Sequence, residues 1–509
     1  MLFTGLAARF SSPEAIEARS WHVNLSSILD MARSPTMQLA LLVLSLRIVG
    51  ATQSSLQSFT VFSDPIFLRR GEVHNRYVLP KKLPDEIVQK FAGKTMHLKS
   101  VDLDIVLVNN KTGEKVPAPL YMTYNHHHAL LLGATDSMMK LYNKSKDKDP
   151  LDPHSSPDQT AKHQHHGCAM KRKSFEALLA AALPESQRGD ISVFGGASGA
   201  EYRGTSNRLA GPYTYDVKNP ESFMVLMHFI NSHGVPEDQK LWECPCTSRS
   251  KINVTNGTID GKKPIAFQCS QQLLDQKNTG CSLATYEGGY RCCEHGVFLT
   301  EELPGPDSPV DQIETKFTFE YYELDAPETK VARPTTQPSC CDATAGYLYN
   351  SSSQFANLEY DVPKCADGTP PDQCVHVIES VEYFDADGRH HGEDEEFELV
   401  HAWGHQHVAG LGLELYRVSS NASNELLCQS HPKYGTGVQA GDEHGFVVGI
   451  PPCVWGPPPL SPPPKIRRFD HLRTVARYNA SEKHHGVMSL WLLTAASLKP
   501  GSARVEFQV

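Results

Sequence analysis

The sequence lacks basic character. Its 509 residues include 48 lysines and arginines against 58 aspartates and glutamates, which gives a formal net charge of −10. Nucleic-acid-binding proteins need a positively charged surface, so this charge argues against a nucleic-acid partner. The sequence also lacks the G-x-S-x-G motif of serine hydrolases and the H-E-x-x-H motif of zinc proteases. Two large classes of hydrolase therefore receive no support.

Long apolar runs are scarce as well. The clearest one, QLALLVLSL, follows Met37 and leads into small residues, with Val49 and Ala51 at positions typical of a signal-peptidase site. It offers about 10 to 13 apolar residues, whereas a bilayer span needs ~20. Residues 1–51 are therefore predicted to be an N-terminal extension and a cleaved signal peptide, with a membrane anchor as the alternative. We expect no stable membrane span in the mature chain.

Cysteine is rare in the first half of the chain and frequent later. Twelve of the 13 cysteines lie from Cys244 to Cys453, several of them in C-P-C or C-C pairs. In an exported protein such a set indicates disulfides, and the irregular spacing lacks the repeated C-x2-C of structural zinc. Seven N-x-S/T glycosylation sequons follow the signal, at Asn110, Asn143, Asn253, Asn256, Asn350, Asn421 and Asn479. Together these features predict a secreted, extracellular or cell-wall-associated glycoprotein with disulfides.

Helical patterns are few, and the clearest covers residues 173–183. Apolar and polar residues alternate instead, which predicts β-strands in residues 97–116, 314–325, 377–388, 397–418 and 487–495. Many short strands with Gly/Pro-rich connections indicate a mainly β fold built from sandwiches. The length exceeds that of a single core. We therefore predict two β-sandwich, jelly-roll-like domains.

The domain boundary is predicted at VARPTTQPS, residues 331–339. The N-terminal sandwich would cover residues 55–331 and carry two additions, a His-rich loop at 140–167 and a cysteine-rich insertion at 244–293. The C-terminal sandwich would cover residues 340–509. Its segment 451–464 holds eight prolines and is expected to be extended at the surface.

Histidine is abundant, with 24 copies. Four clusters stand out: YMTYNHHHALLLG with His126, His127 and His128; FMVLMHFINSHG with His228; HAWGHQHVAGLG with His401, His405 and His407; and SEKHHGVMSLW with His484, His485 and Met488. Imidazole is a good ligand for copper, zinc and iron, and a nearby thioether favours copper. These clusters are therefore the candidate metal ligands.

The H-x-H pair is the strongest of these signals. On a strand, His405 and His407 would point the same way about 6.6 Å apart and could bind one ion. The alternative is a pair of half-exposed strand histidines. His127 and His128 are neighbours and would point to opposite faces, so they could share an ion only at a twist or bulge. A single His228 in an apolar run is more often a core residue than a ligand.

Several stretches then point to a family, in this order: FSDPIFLRRGEVHNRY, YNHHHALLL, VLMHFINSHGVPEDQKLWECPC, WGHQHVAGLGLELY, YGTGVQAGDEHGFVVGIPPC and ARYNASEKHHGVMSLW. In them the chain resembles the stress up-regulated nodulin 19 family, from about Val61 to the C-terminus. The resemblance implies a stress-related protein.

A more distant resemblance suggests a mechanism. The order HH, single His, H-x-H and Met is similar to the copper type II, ascorbate-dependent monooxygenases, which hold two coppers across a solvent-filled cleft. It implies an electron-transfer copper on His127, His128 and His228, where the following A-L-L-L-G run favours His128 over His126. It further implies a dioxygen-binding copper on His405, His407 and Met488. Ascorbate would be the electron donor, and a C–H bond of a small molecule or peptide would be hydroxylated.

Two positions depart from that second pattern. The peptide-hydroxylating members place an arginine two residues before H-x-H, where this chain has Trp403, and a tyrosine after the methionine, where the nearest aromatic is Trp491. The arginine binds the substrate carboxylate, so its absence argues against a peptidyl-glycine substrate. The alternative function is a non-catalytic extracellular glycoprotein with a structural or copper-binding role.

The export signal and the sequons generate a first prediction. Protein expressed in a eukaryotic secretory host should reach the medium, begin near Thr52 and carry glycans on several sequons. Intact mass before and after enzymatic deglycosylation measures both features. A full-length product that stays in the cell with no mass shift would contradict the prediction.

Overall fold

Strands dominate the chain wherever apolar and polar residues alternate. The computed structural model describes residues 55–145, 178–196, 199–235, 295–296, 298, 304–337, 341–343, 360–384, 395–418, 424–467 and 470–498. The fold of these residues is mainly β, as predicted, with mostly antiparallel sheets. The helices among them are α1 Asp85–Lys90, α2 Thr135–Ser145 and α3 Glu185–Arg188, with 3-10 helices at Ala200–Arg203 and Pro327–Lys330.

The strands fall into two groups along the chain. Those of the first half are β1 Leu56–Phe62, β2 Ile66–Leu68, β3 Val73–Tyr77, β4 Lys81–Lys82, β5 Thr95–Val108, β6 Lys115–Pro117, β7 Thr123–Gly133, β8 Ile191–Gly196, β9 Tyr213–Lys218, β10 Ser222–Asn231, β11 Asp311–Tyr322 and β12 Arg333–Pro334. Those of the second half are β13 Cys341–Asp342, β14 Tyr360–Val362, β15 Val375–Tyr383, β16 Glu396–Gln406, β17 Gly410–Val418, β18 Asn424–Ser430, β19 Lys433–Tyr434, β20 Val447–Gly449, β21 Cys453–Val454, β22 Lys465–Arg467, β23 His471–Asn479, β24 His484–Val487 and β25 Ser489–Ser497.

The strands predicted from alternation are confirmed. Residues 97–116 form the β5–β6 hairpin, and 397–418 form β16 and β17 with a turn between them. The segments 314–325, 377–388 and 487–495 correspond to β11, β15 and β25. Of the predicted helix, residues 178–182 are helical and the earlier ones lie outside the described residues. Burial alternates along β11, as period two requires, whereas β16 is buried on both faces because the two halves meet there.

Two sheets build the first half. Sheet 1 has the order β1-β11-β5-β9-β12, with β2 on β11 and β6 on β5, and sheet 2 has the order β3-β10-β7-β8, with β4 on β10. One large apolar core contains residues of both sheets, such as Phe317 and Phe319 from sheet 1 and Phe223 and Val225 from sheet 2. Every residue of β10 is buried, because helix α2 covers the other face of sheet 2. This pairing of sheets is a sandwich.

Two further sheets build the second half. Sheet 3 has the order β13-β25-β16-β21, with β22 on β16, and sheet 4 has the order β15-β23-β17-β18. Their shared core includes Leu399, Leu413, Tyr478 and Trp491. The disulfide Cys428–Cys453 joins β18 of sheet 4 to β21 of sheet 3. Covalent and apolar contacts therefore hold the two sheets face to face.

The two halves meet along one face of β16. From Ala402 onward, the even-numbered residues of this strand point to the second-half core, where a Cβ on Gly404 would lie 2.7 Å from Leu413. From His401 onward, the odd-numbered ones point to the first half: Nε2 of His401 lies 3.1 Å from the carbonyl of Ser206. A bulge between Leu399 and His401 shifts the alternation, so Leu399 packs in the second-half core and Val400 in the first-half core. The side chain of Glu443 also accepts a hydrogen bond from the backbone of Leu120. Leu56–Val509 accordingly forms one compact unit.

The segment predicted as the domain boundary contacts both halves. Arg333–Pro334 pairs with β9, and Thr336 forms a β-bridge with Ala495 of sheet 3. The division into two domains at 331–339 stays a prediction, as does the jelly-roll topology. The signal at 1–51, the cysteine-rich insertion at 244–293 and all but the start of the His-rich loop at 140–167 lie outside the described residues.

Several surface features bear on export. Three sequon asparagines lie in described segments, and all three, Asn110, Asn143 and Asn479, are exposed. Two disulfides are formed among the described residues, Cys365–Cys374 and Cys428–Cys453. Among the described residues, no helix is long and apolar enough to cross a bilayer. The disulfide prediction is thus confirmed for four cysteines.

The disulfides differ in the length of chain they close, 25 residues for Cys428–Cys453 and nine for Cys365–Cys374. The chain-entropy model assigns about 3.5 kcal/mol to the longer loop and about 2.5 kcal/mol to the shorter one. The double variant Cys428→Ala/Cys453→Ala should therefore lose more free energy of unfolding than Cys365→Ala/Cys374→Ala. Urea unfolding measures both, and the reverse order would contradict the prediction.

Candidate metal centre

A β-bulge decides where the three consecutive histidines of β7 point. In the pairing of β7 with β10, His127 lies opposite His228 and Asn125 lies opposite Phe229. His126 is therefore the extra residue of the bulge. An extra residue breaks the alternation of faces, so two successive side chains can turn to the same side. His126 and His127 do this.

The result is a histidine triad on the outer face of sheet 2. Nδ1 of His127 lies 3.2 Å from Nδ1 of His126 and 3.3 Å from Nδ1 of His228. The ligand nitrogens of all three lie within 4.8 Å of one another, and all three residues are buried. Two ligands about 2.0 Å from one tetrahedral ion are about 3.3 Å apart. The triad therefore matches the spacing of a metal site.

His128 lies on the opposite face of β7, away from the triad. It pairs with Met227 rather than His228, and its ring is 6.4 Å from that of Phe317 in sheet 1. With Trp403 it lines a cavity of about 20 Å³. Burial among these groups lowers the pKa of His128 to about 4. The structure thus brings His127 and His228 together, but with His126 rather than His128.

The H-x-H pair lies on the outer face of β16. The rings of His405 and His407 are 5.1 Å apart at an interplanar angle of 81°. Both residues are buried, as strand alternation on a covered face requires. Burial, together with the neighbouring His405, holds the pKa of His407 well below its usual range. A neutral imidazole is the form that binds a metal.

Glu201 orients His405. Its Oε1 lies 2.6 Å from Nδ1 of His405, and both side chains are almost fully buried. A carboxylate on one ring nitrogen fixes the tautomer and leaves the other nitrogen, Nε2, for a metal. Gly199 makes room, because a Cβ there would lie 2.8 Å from Cε1 of His405. Sequence reasoning missed both residues, since nothing in GASGAEYRG has the spacing of a metal motif.

The hydroxyl of Tyr478 links the backbone of Met488 to that of His407. The hydroxyl of Tyr478 donates to the carbonyl of Met488 at 2.6 Å and accepts from the backbone N–H of His407 at 3.2 Å. Met488 is buried, at the start of the strand pairing in which His405 faces Leu490. The backbone of Met488 and that of His407 therefore lie close together at the end of the β16–β25 pair, next to His405.

The two sets adjoin each other. The ring of His126 lies 4.4 Å from that of His228 and 6.1 Å from that of His407. Five histidines from three strands and the residue after β16 thus form one continuous buried cluster, the histidine cluster: His126, His127, His228, His405 and His407.

Comparison with known proteins assigns this chain to a family. The sequence profile described as "Stress up-regulated Nod 19" matches residues 54–497, which includes every residue of the histidine cluster. The chain belongs to the stress up-regulated Nod 19 family. It is accordingly a stress-related protein of the nodulin 19 type, as the sequence motifs predict.

Other comparisons add little to the family assignment. No curated protein matches this family member. A cryo-EM structure of a T=3 Penaeus vannamei nodavirus aligns with 7% identity over 96% of this chain and 98% of that chain. Its TM-score is 0.14, which is too low to support an argument about fold or function.

The triad generates a prediction with a matched control on the same strand. His126→Ala should reduce copper(I) affinity at the triad by a factor of about 100, because it removes one of three converging donors. His128→Ala removes the same side chain from the opposite face and should leave the affinity unchanged. Competition titration with a copper(I) chelator measures both. A loss in His128→Ala with none in His126→Ala would contradict the geometry.

Proposed function

We propose that this Nod 19-family protein is a secreted copper protein that hydroxylates a C–H bond with dioxygen. The observation that carries the proposal is the convergence of Nδ1 atoms of His126, His127 and His228. Three imidazoles without a carboxylate among them are donors that copper accepts readily. The family assignment itself carries no activity, so the proposal depends on the site.

Two sets of donors would hold copper. His126, His127 and His228 form the first set, and His405, His407 and Met488 form the second. A thioether in the second set would favour the cuprous state. When bound, copper supplies the one-electron chemistry that dioxygen and ascorbate require. The residues present fit this group, because Nε2 of His405 and Nδ1 of His407 are buried and have no hydrogen-bond partner among the described residues.

The chain's own residues prepare the site in three ways. Glu201 accepts a hydrogen bond from Nδ1 of His405 and fixes its ring. The hydroxyl of Tyr478 ties the backbone of His407 to that of Met488. The surrounding burial keeps water away from the donors, which strengthens electrostatic interactions within the site. These contacts hold the ring of His405 and the backbone of His407 and Met488 before any ion binds.

The site lacks the arginine that binds the substrate carboxylate in the peptide-hydroxylating enzymes. Trp403, at the arginine position of the peptide-hydroxylating enzymes, is buried beside His128 and offers no positive charge. A small molecule, or a peptide bound by other contacts, fits this chain better. Export is part of the proposal, supported by the two disulfides and the three exposed sequon asparagines.

One observation favours a second candidate, a non-catalytic copper-binding glycoprotein. All five rings of the histidine cluster are buried, and His228 is 0% exposed. A catalyst must admit substrate to its metal, whereas a protein that only holds copper gains from excluding solvent. The two candidates share the copper site and differ in whether oxygen is consumed.

Copper content and oxygen uptake test the proposal together. Purified protein should bind copper and consume dioxygen when ascorbate is supplied. His228→Ala removes a triad donor, so it should lose the triad copper, about half of the total, and its oxygen uptake should fall by a factor of at least about 10. His444→Ala, a substitution of an exposed histidine, should change neither. Copper without oxygen uptake would favour the non-catalytic candidate. Equal copper in wild type and His228→Ala would refute the proposal.

A further inference from the structure

The histidine cluster has a shape that differs from the one implied by the copper monooxygenases. In those enzymes a solvent-filled cleft separates the two coppers. Here the rings of His126 and His407 are 6.1 Å apart, close to the 5.1 Å between the rings of His405 and His407 and the 5.4 Å between those of His126 and His127. His126 also lies 4.4 Å from His228, so it belongs to the triad and adjoins the second set. No cleft fits between groups this close.

We propose that the histidine cluster holds two copper ions as one buried dinuclear centre. This inference rests on the proposed function, because it takes copper as the metal of the triad. One ion would bind the Nδ1 atoms of the triad. The other would bind Nε2 of His405 and a nitrogen of His407, with His126 between the two ions.

The free nitrogens of the second set support a second ion. Nε2 of His405, Nδ1 of His407 and Oε2 of Glu201 are buried and make no hydrogen bond with the described residues. Buried polar atoms are normally paired, since an unpaired one is costly. The other nitrogen of His405 is already held by Glu201 at 2.6 Å. An ion beside His405 and His407 would satisfy both rings at once.

The charge of the buried site determines which oxidation state of copper it favours. Two ions in a buried space repel each other, and their charge must be offset by nearby groups. Glu201 is 1% exposed and supplies one negative charge in contact with His405. Two cuprous ions leave a smaller excess charge than two cupric ions do. This charge balance favours two cuprous ions in the resting centre.

Electron paramagnetic resonance on the full-length chain tests the pair. Protein is loaded with copper(I) under argon, freed of excess metal and oxidised with ferricyanide. Wild type should contain two coppers per chain and show spin–spin coupling, seen as a half-field signal and as less main-field intensity than its copper content requires. His405→Ala should contain one copper whose uncoupled signal accounts for all of it. His444→Ala should match wild type.

A second variant controls for misfolding of His405→Ala. His405→Ala leaves the Glu201 carboxylate buried without its partner, which destabilises a fold. Glu201→Gln/His405→Ala removes that charge and should give the same single, uncoupled copper. Two coppers with fully uncoupled signals, or one copper in wild type, would overturn the dinuclear centre and leave copper binding intact. No copper in wild type would refute the proposed function itself.

Discussion

The carboxylate of Glu201 lies 2.6 Å from Nδ1 of His405, and neither group has access to water. This contact joins the 3-10 helix Ala200–Arg203 of the first half to β16 of the second half. A buried carboxylate is tolerated only when paired, so the two halves must dock with this strand face in place. The docking also brings His401 into hydrogen-bond contact with the carbonyl of Ser206 and places the ring of His407 near that of His126. The histidine cluster depends on this arrangement.

Sheet geometry supplies the other half of the site. A regular β7 would place His127 on one face and its neighbours on the other. The bulge opposite Phe229 adds His126 to the face of His127 and His228. His128 remains on the inner face, where it lies beside Phe317 in the sandwich core. A single inserted residue therefore decides which histidines can act as metal donors.

Burial gives the centre its chemical character. Burial holds the pKa of His407 well below its usual range, and the neutral imidazole is the form that binds a metal. The same burial limits access for large substrates. The outer face of β16 therefore forms part of the interface between the halves. It also places His405 and His407 beside the triad. The proposed metal site and the packing between the halves therefore share one surface.

The sequence by itself determined the local features. Alternation predicted the strands β5, β11, β15, β16 and β25, because period-two burial is written into each segment. The H-x-H spacing placed His405 and His407 on one face for the same reason. Only the tertiary structure decided between His126 and His128, since a bulge is defined by the partner strand β10 and not by β7 alone. It also supplied Glu201, which reaches His405 across 204 residues of chain. Local periodicity predicts which way a side chain points in a regular strand, whereas bulges and contacts between distant segments depend on how the strands pair and the sheets pack.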